Sequence, residues 1–450
     1  MVAAWHIKLT AIADRWIARA AHGLSRRFLW ACIPLGRRLG VRRAARDRLR
    51  TLWGVTPIVT LPLKARCDHA LGFRSESVVF TTYYITRAFT WNLSLCRRVF
   101  DSFPLASRAG YRVLLGLALR RYDVFHVFAD RGIMPPTWRA FGIDPEELSA
   151  IRAAGKPVYV YAYGADVRTR AATEALGRWN FCAECDDPGR YCVCDDTKGR
   201  ALMTATSAHA TALVSLGDML TYMPGARHMP YWPIDVDAVP PATSPVDPSQ
   251  PLRIAHAPNH AHFKGTKYLE AAIATLRADG HRIELIKISG VPNATVMQMF
   301  AAADIVADQF IGGAYGYSAL EGLARGKPVL TYVRSPDLVL AADECPFVNV
   351  TPDNLETVLL WCLANRHLLP VIGMQGRAYV ERHHSIPAVA ARFSALYRQT
   401  AQFPPATVAR LEAFEDAEQR RSASIAISPA PLHPFHIENT FSVQSKANVY

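Results

Sequence analysis

A chain of 450 residues, half of them apolar, can bury two ordinary cores. No apolar run reaches the roughly 18–20 residues that span a bilayer, and no secretory leader pattern is present, so a cytoplasmic protein is expected. The formal net charge is +13, and twelve Lys and Arg against Asp14 and Asp47 place +10 of it in residues 1–54.

Within residues 1–54, Trp5, Leu9, Ile12, Trp16 and Ile17, then Leu24, Phe28 and Leu29, recur at helical spacing between the arginines. Basic amphipathic helices with tryptophans suit the interface of an anionic membrane; the same stripe also suits helices packed on the next domain. Residues 55–235 read as an α/β domain, with strands at 57–61, 78–82, 124–128, 158–163 and 212–216 and a helix near 201–208. The strands at 124–128 and 158–163 end in polar turns, the place where open parallel sheets hold ligands. Asp130 and Asp166 in those turns are candidates for acceptor contact or base chemistry, although an aspartate there also caps turns. His126, in an apolar strand, reads as a core residue.

Cys182, Cys185, Cys192 and Cys194 fall within thirteen residues of this domain, in the loop 182–194. Four thiolates beginning with C-x2-C suit one structural zinc; redox-active or simply reduced thiols are the other reading. Residues 236–251, with Pro240, Pro241, Pro245, Pro248 and Pro251, form a linker. A second α/β unit occupies 252–400: strand 252–257, the loop HAPNHAHFKGT and a helix to 277, then strand 282–289 and helix 293–302. Helices at 353–366, 374–384 and 387–400 close it. From 401 to 450 proline, serine and polar residues dominate, and a disordered tail is expected.

The most informative segment is ADIVADQFIGGAYGYSALEGLARGKPVLTYV, residues 303–333. A short buried strand leads through Gly312, Gly313 and Gly316 into a helix beginning near Tyr317 and Ser318. The free N–H groups at a helix start attract a phosphate. Glu321 lies one turn on, about 5 Å along the axis, within reach of an adjoining ribose. Such a unit is a nucleotide-sugar pocket or a plain structural strand-turn-helix.

This segment resembles the donor-site signature of family-4 glycosyltransferases, which have the GT-B fold of two doubly wound, Rossmann-like α/β domains facing a cleft. The likeness extends over roughly residues 55–400 and implies that Glu321 binds the ribose hydroxyls. A second family glutamate, near the transferred sugar, falls at Gly313. YAYGADVR resembles the family's H-G-x-D-x-R turn and contains Asp166. IAHAPNHAHFKGT resembles the diphosphate loop: Lys264 matches its lysine, and its arginine falls near Asn259 and His260. His256, Gly265, Gly313, Gly316, Tyr317 and Ser318 complete the expected donor site, with Asp166, Lys264 and Glu321 as the catalytic candidates. The helix at 387–400 is placed to cross back to the first domain.

The resemblance implies a retaining glycosyltransferase that moves a sugar from a nucleotide sugar to a glycan or lipid-linked acceptor. No Asp-x-Asp stands in the donor region, so no catalytic metal is expected. The charge of residues 1–54 suggests a peripheral position on the inner face of the membrane. A non-hydrolysing nucleotide-sugar epimerase of the same architecture is one alternative. A basic nucleic-acid-binding protein or a non-catalytic envelope-assembly protein is another. The charge sits on one terminal segment rather than on a folded reading surface with aromatics, so no nucleic-acid partner is expected.

Overall fold

The computed structural model describes residues 2–135, 142–242, 247, 249–427, 433–437 and 439, with side chains from Trp16 onward. Seven parallel strands build the first sheet: β1 (Arg50–Val55), β2 (Arg74–Val79), β3 (Trp91–Asn92), β4 (Val124–Phe128), β5 (Val158–Tyr161), β6 (Ala212–Ser215) and β7 (Arg227–His228). Their order is β3-β2-β1-β4-β5-β6-β7. Five more form the second sheet: β8 (Leu252–His256), β9 (Ile283–Lys287), β10 (Ile305–Ala307), β11 (Val329–Thr331) and β12 (Val348–Asn349), in the order β12-β11-β10-β8-β9. Every strand of β4, β5, β10 and β11 is buried along its length, as parallel strands covered on both faces must be. The strand order reverses between β8 and β10, so the loops after these two strands open a crevice at the carboxyl edge.

Three expectations need correction. The first strand is β1, not 57–61. Pro57 cannot donate to a ladder, and Pro62 sits in the first turn of helix Leu61–Ala70, where its missing N–H costs nothing. Residues 2–44 form one helix, Val2–Ala44, and its second half belongs to the fold. Leu29, Cys32 and Ile33 are buried, and Arg43 pairs with Asp123 at 2.6 Å. Trp5, Leu9 and Ile12 carry side chains outside the described set.

The expected disordered tail contains a helix, Pro405–Ala423. Thr407, Leu411 and Glu418 recur at helical spacing and are buried, and Ser394 donates to Glu415 at 2.6 Å. Residues 428–432, 438 and 440–450 of that stretch lie outside the described residues.

Helix Ile386–Thr400 does cross to the first domain. Its Phe393 and Tyr397 enter the core around Trp53, and the Tyr397 hydroxyl donates to Asp68 at 2.6 Å. His126 is a core residue. It stacks on Trp53 at 3.8 Å, and its two ring nitrogens meet the Tyr161 and Tyr397 hydroxyls at 3.0 and 2.9 Å.

Candidate functional site

The loops after β8 and β10 and helix Tyr317–Ala324 enclose a cavity of about 170 Å³. Asn259, Lys264, Asn293, Tyr317, Ser318 and Glu321 line it from the second domain, and Val59, Tyr84 and Ile85 from the first. The Asn293 N–H donates to the Ile85 carbonyl at 3.1 Å, which holds the first-domain loop over the cavity.

Glu321 is where the sequence places it, one turn into the helix, and is buried at the cavity wall. Its Oε1 accepts from Asn293 Nδ2 at 2.7 Å. Burial raises its carboxyl to about 7, against the smaller opposing effect of that bond. One oxygen therefore stays available to hydroxyl donors.

Asp308, which the sequence offers only as an acid flanking a buried strand, organises the Lys264 end of the cavity. Its Oδ1 accepts from Lys264 Nζ and Ser318 Oγ, each at 2.6 Å, and its Oδ2 from the Gly316 N–H at 2.6 Å and Thr331 Oγ1 at 3.3 Å. Lys264, with Ser318 and the Gly316 N–H, holds this carboxyl below its usual range even though burial alone would raise it. The ammonium of Lys264 keeps two of its three protons for another acceptor. The signal for Asp308 was its place, the first residue after a buried strand at the switch point. Gln309 sets the glycine turn: its Nε2 donates to the carbonyls of Ala314 and Tyr332 at 2.8 and 2.7 Å, and its Oε1 accepts from the Gly312 N–H.

Other expected residues are placed differently. His256 lies beneath the cavity, with Nδ1 at 2.9 Å from the Ala307 carbonyl and Nε2 at 2.8 Å from Thr266 Oγ1. Both nitrogens are engaged and burial lowers the ring to about 4, so it reads as a core histidine. His260 is exposed at the rim against Tyr191, 4.6 Å between rings. Gly265, with φ 70°, makes the left-handed turn that brings Lys264 to the cavity.

At Gly313, also left-handed with φ 81°, any side chain would run into the Arg334 guanidinium. A glutamate there would strain the left-handed backbone and displace the guanidinium. Arg334 itself carried no signal in the sequence beyond its position after β11.

Asp166 lies in the turn after β5, buried and outside the cavity lining. Its Oδ1 accepts from the N–H groups of Tyr163 and Gly164, both at 2.9 Å, and its buried Oδ2 has no partner. Burial first, and Asp130 second, raise it to about 8, so it holds a proton at neutral pH. Asp130 accepts from Thr56 Oγ1 at 2.6 Å and Arg131 Nε at 2.7 Å.

The expected zinc site is not formed. Among the described residues no group of three or more His, Cys, Asp or Glu is placed to hold a metal ion. Arg168 Nη1 lies 3.6 Å from Cys192 Sγ, and Cys194 Sγ accepts from the Gly189 N–H at 3.1 Å. A fixed guanidinium beside the thiol opposes a dication there.

No family model matches this chain, and no curated protein matches it. Among solved structures, HepE of Anabaena in complex with UDP-glucose aligns with 78% of this chain and 100% of its own, at 11% identity and a TM-score of 0.50. The fold is GT-B. A glycosyltransferase from Rickettsia africae aligns over 79% of this chain and 99% of its own, at 12% identity and a TM-score of 0.48. In GT-B terms, the second domain carries the Glu321 cavity and the first covers it with Val59, Tyr84 and Ile85.

Proposed function

We propose that this chain is a glycosyltransferase of the family-4 type, moving a sugar from a nucleotide-sugar donor to a glycan or lipid-linked acceptor with retention of configuration. The observation that carries the reading is Glu321, a buried carboxyl with one free oxygen, at a cavity whose other end holds Lys264 and a helix start. A ribose diol has two hydroxyl donors for the first, and a diphosphate is an acceptor for the second.

Departure of the diphosphate concentrates negative charge beside Lys264 and the first-turn N–H groups of Tyr317 and Ser318. Fixed donors there act without reorganising and are worth several kcal/mol in a cleft closed to water. Lys264 is oriented for this by Asp308. The reading needs no metal at the donor. Asp166, in the turn after β5, is the candidate for the acceptor side, with one carboxyl oxygen that no protein group takes. HepE was crystallised with UDP-glucose, which supports a uridine donor here.

The acceptor side of the reading includes an anionic membrane surface on its cytoplasmic face. Among the described residues no single helix is long and apolar enough to cross a membrane. Helix Val2–Ala44 instead leaves Trp16, Ile17 and Leu24 exposed, and Val99 and Phe103 are exposed across an apolar groove from Leu24 and Phe28.

The test is a thermal shift with UDP and UDP-glucose, followed by product analysis with and without a glycan acceptor. Stabilisation by both nucleotides and acceptor-dependent release of UDP are expected. No stabilisation by either ligand would overturn the reading, and interconversion of the sugar without an acceptor would replace it with an epimerase.

A further inference from the structure

One wall of the donor cavity is used by neither Lys264 nor Glu321. It is the loop after β9, Ile288 to Val291, with Val296 of the following helix. The Ile288 N–H extends the sheet by donating to the His256 carbonyl at 2.9 Å. Beyond it, the N–H and carbonyl groups of Ser289, Gly290 and Val291 take no partner among the described residues. Peptide groups left over at a cavity wall are donors and acceptors for the edge of a ligand.

The first domain reaches the same cavity with Tyr84. Tyr83 and Thr86 pair as an antiparallel bridge, which closes a turn with Tyr84 and Ile85 at its tip. The tip is fixed to the second domain where the Ile85 carbonyl accepts from the Asn293 N–H at 3.1 Å, two residues past Val291. Tyr84 lines the cavity yet is 53% exposed, and its hydroxyl has no partner among the described residues. A large ring left half bare at a cavity wall, on a turn pinned at the next residue, has its π-face free for a ligand.

We infer that the Tyr84 ring is the platform on which the nucleobase of the donor stacks, with the peptide groups of Ser289, Gly290 and Val291 at the edge of the base. This rests on the nucleotide-sugar reading and adds to it the residue that holds the base. Asn293 sets the geometry: its N–H holds the Tyr84 turn, and its Nδ2 donates to Glu321 at 2.7 Å. A base joined to a ribose at Glu321 begins one glycosidic bond away, and so meets the turn and the loop that Asn293 connects. Stacking asks only for a flat apolar face, which the unpartnered ring supplies whatever the base.

The experiment measures UDP binding to the full chain by calorimetry, together with the ultraviolet difference spectrum of the bound uracil, and repeats both with Tyr84→Phe and Tyr84→Leu. Both variants fill the turn with an apolar side chain, and only the first keeps a ring. Tyr84→Phe should bind as the unaltered chain does, with the fall in uracil absorbance that stacking produces. Tyr84→Leu should bind roughly tenfold more weakly, the usual cost of losing one base-stacking ring, and its difference spectrum should vanish. Equal affinity of the phenylalanine and leucine variants overturns the assignment and leaves the nucleotide-sugar reading standing. So does a weakened Tyr84→Leu that keeps the difference spectrum, which would give Tyr84 a part in the turn alone. Failure of UDP to bind the unaltered chain removes the underlying reading, and the assignment with it.

Discussion

Burial raises the Glu321 carboxyl to about 7, so near neutral pH the free protein holds it as a mixture of acid and carboxylate. A carboxylate accepts from both hydroxyls of a ribose diol, whereas the protonated acid gives up one acceptor. Donor binding therefore draws on the ionised form and expels a proton below pH 7. Affinity for UDP-glucose should fall roughly tenfold per pH unit as pH drops below about 7, and level off above it. UDP-glucose suits this titration because its diphosphate, esterified at both ends, keeps a constant charge across the range. Glu321→Gln should flatten the profile, and Glu321→Ala should cost about 2–3 kcal/mol of binding at pH 8, the usual worth of charged hydrogen bonds. A pH-independent affinity that Glu321→Ala leaves unchanged would take the ribose away from this residue. Glu321 and Lys264 were legible because each stands at a fixed distance from a glycine turn in sequence. Asp308, Asn293 and Arg334 were not, because their parts arise from contacts across 10, 28 and 22 residues, to Ser318, Glu321 and Gly312. His256 misled for the opposite reason: a histidine at a strand end looks free until Thr266 and Ala307 are seen on either side of it.

Most of the strands and helices could be read from apolar runs, since a parallel sheet covered on both faces forces such runs. The miss at 57–61 shows the limit. An apolar stretch bracketed by Pro57 and Pro62 has strand composition but not the N–H groups that a central strand needs. The miss in the tail has another source: helix Pro405–Ala423 buries only a thin stripe, and its partner, helix Ile386–Thr400, was already fully counted as a closing helix. That closing helix is fastened by one network. Tyr397 donates to Asp68 and meets His126 Nε2, while Thr51 and Trp53 donate to the other Asp68 oxygen at 2.6 and 2.8 Å. Burial still lifts Asp68 to about 6. Tyr397→Phe would keep the ring and strip both buried partners of a hydrogen bond. It should destabilise the chain by about 1–3 kcal/mol, read as a lower urea midpoint at unchanged slope. An unchanged midpoint would mean that water replaces the hydroxyl, and that the crossing helix is held by packing alone.

At the scale of the whole molecule, the N-terminal helix serves two masters. Its inner face is part of the first domain through Leu29, Cys32 and Ile33, and Gly36 lies against the Leu119 carbonyl. Removing residues 1–50 would therefore unfold the domain, since Arg50 already belongs to β1. The outer face is the one available to a membrane. Trp16 and Leu24 are each 66% exposed and Phe103 is 64% exposed, with the groove between Leu24 and Phe103 lined by apolar side chains. Arg19, Arg26 and Arg27 stand among them, each offering roughly 1 kcal/mol where it reaches anionic headgroups. That attraction is screened by salt within a Debye length, and burial of Trp16, Leu24 and Phe103 is not. The combined variant Trp16→Ser, Leu24→Ser, Phe103→Ser leaves the inner face intact and tests the outer one. The unaltered chain should co-sediment with phosphatidylserine vesicles at 0.15 M salt, a value at which a Debye length of about 8 Å already weakens charge alone. The variant should stay in the supernatant with its affinity for UDP-glucose unchanged, because no substituted residue lines the donor cavity. Equal sedimentation of both proteins would show that the exposed apolar side chains do not enter lipid, and would return the acceptor to solution.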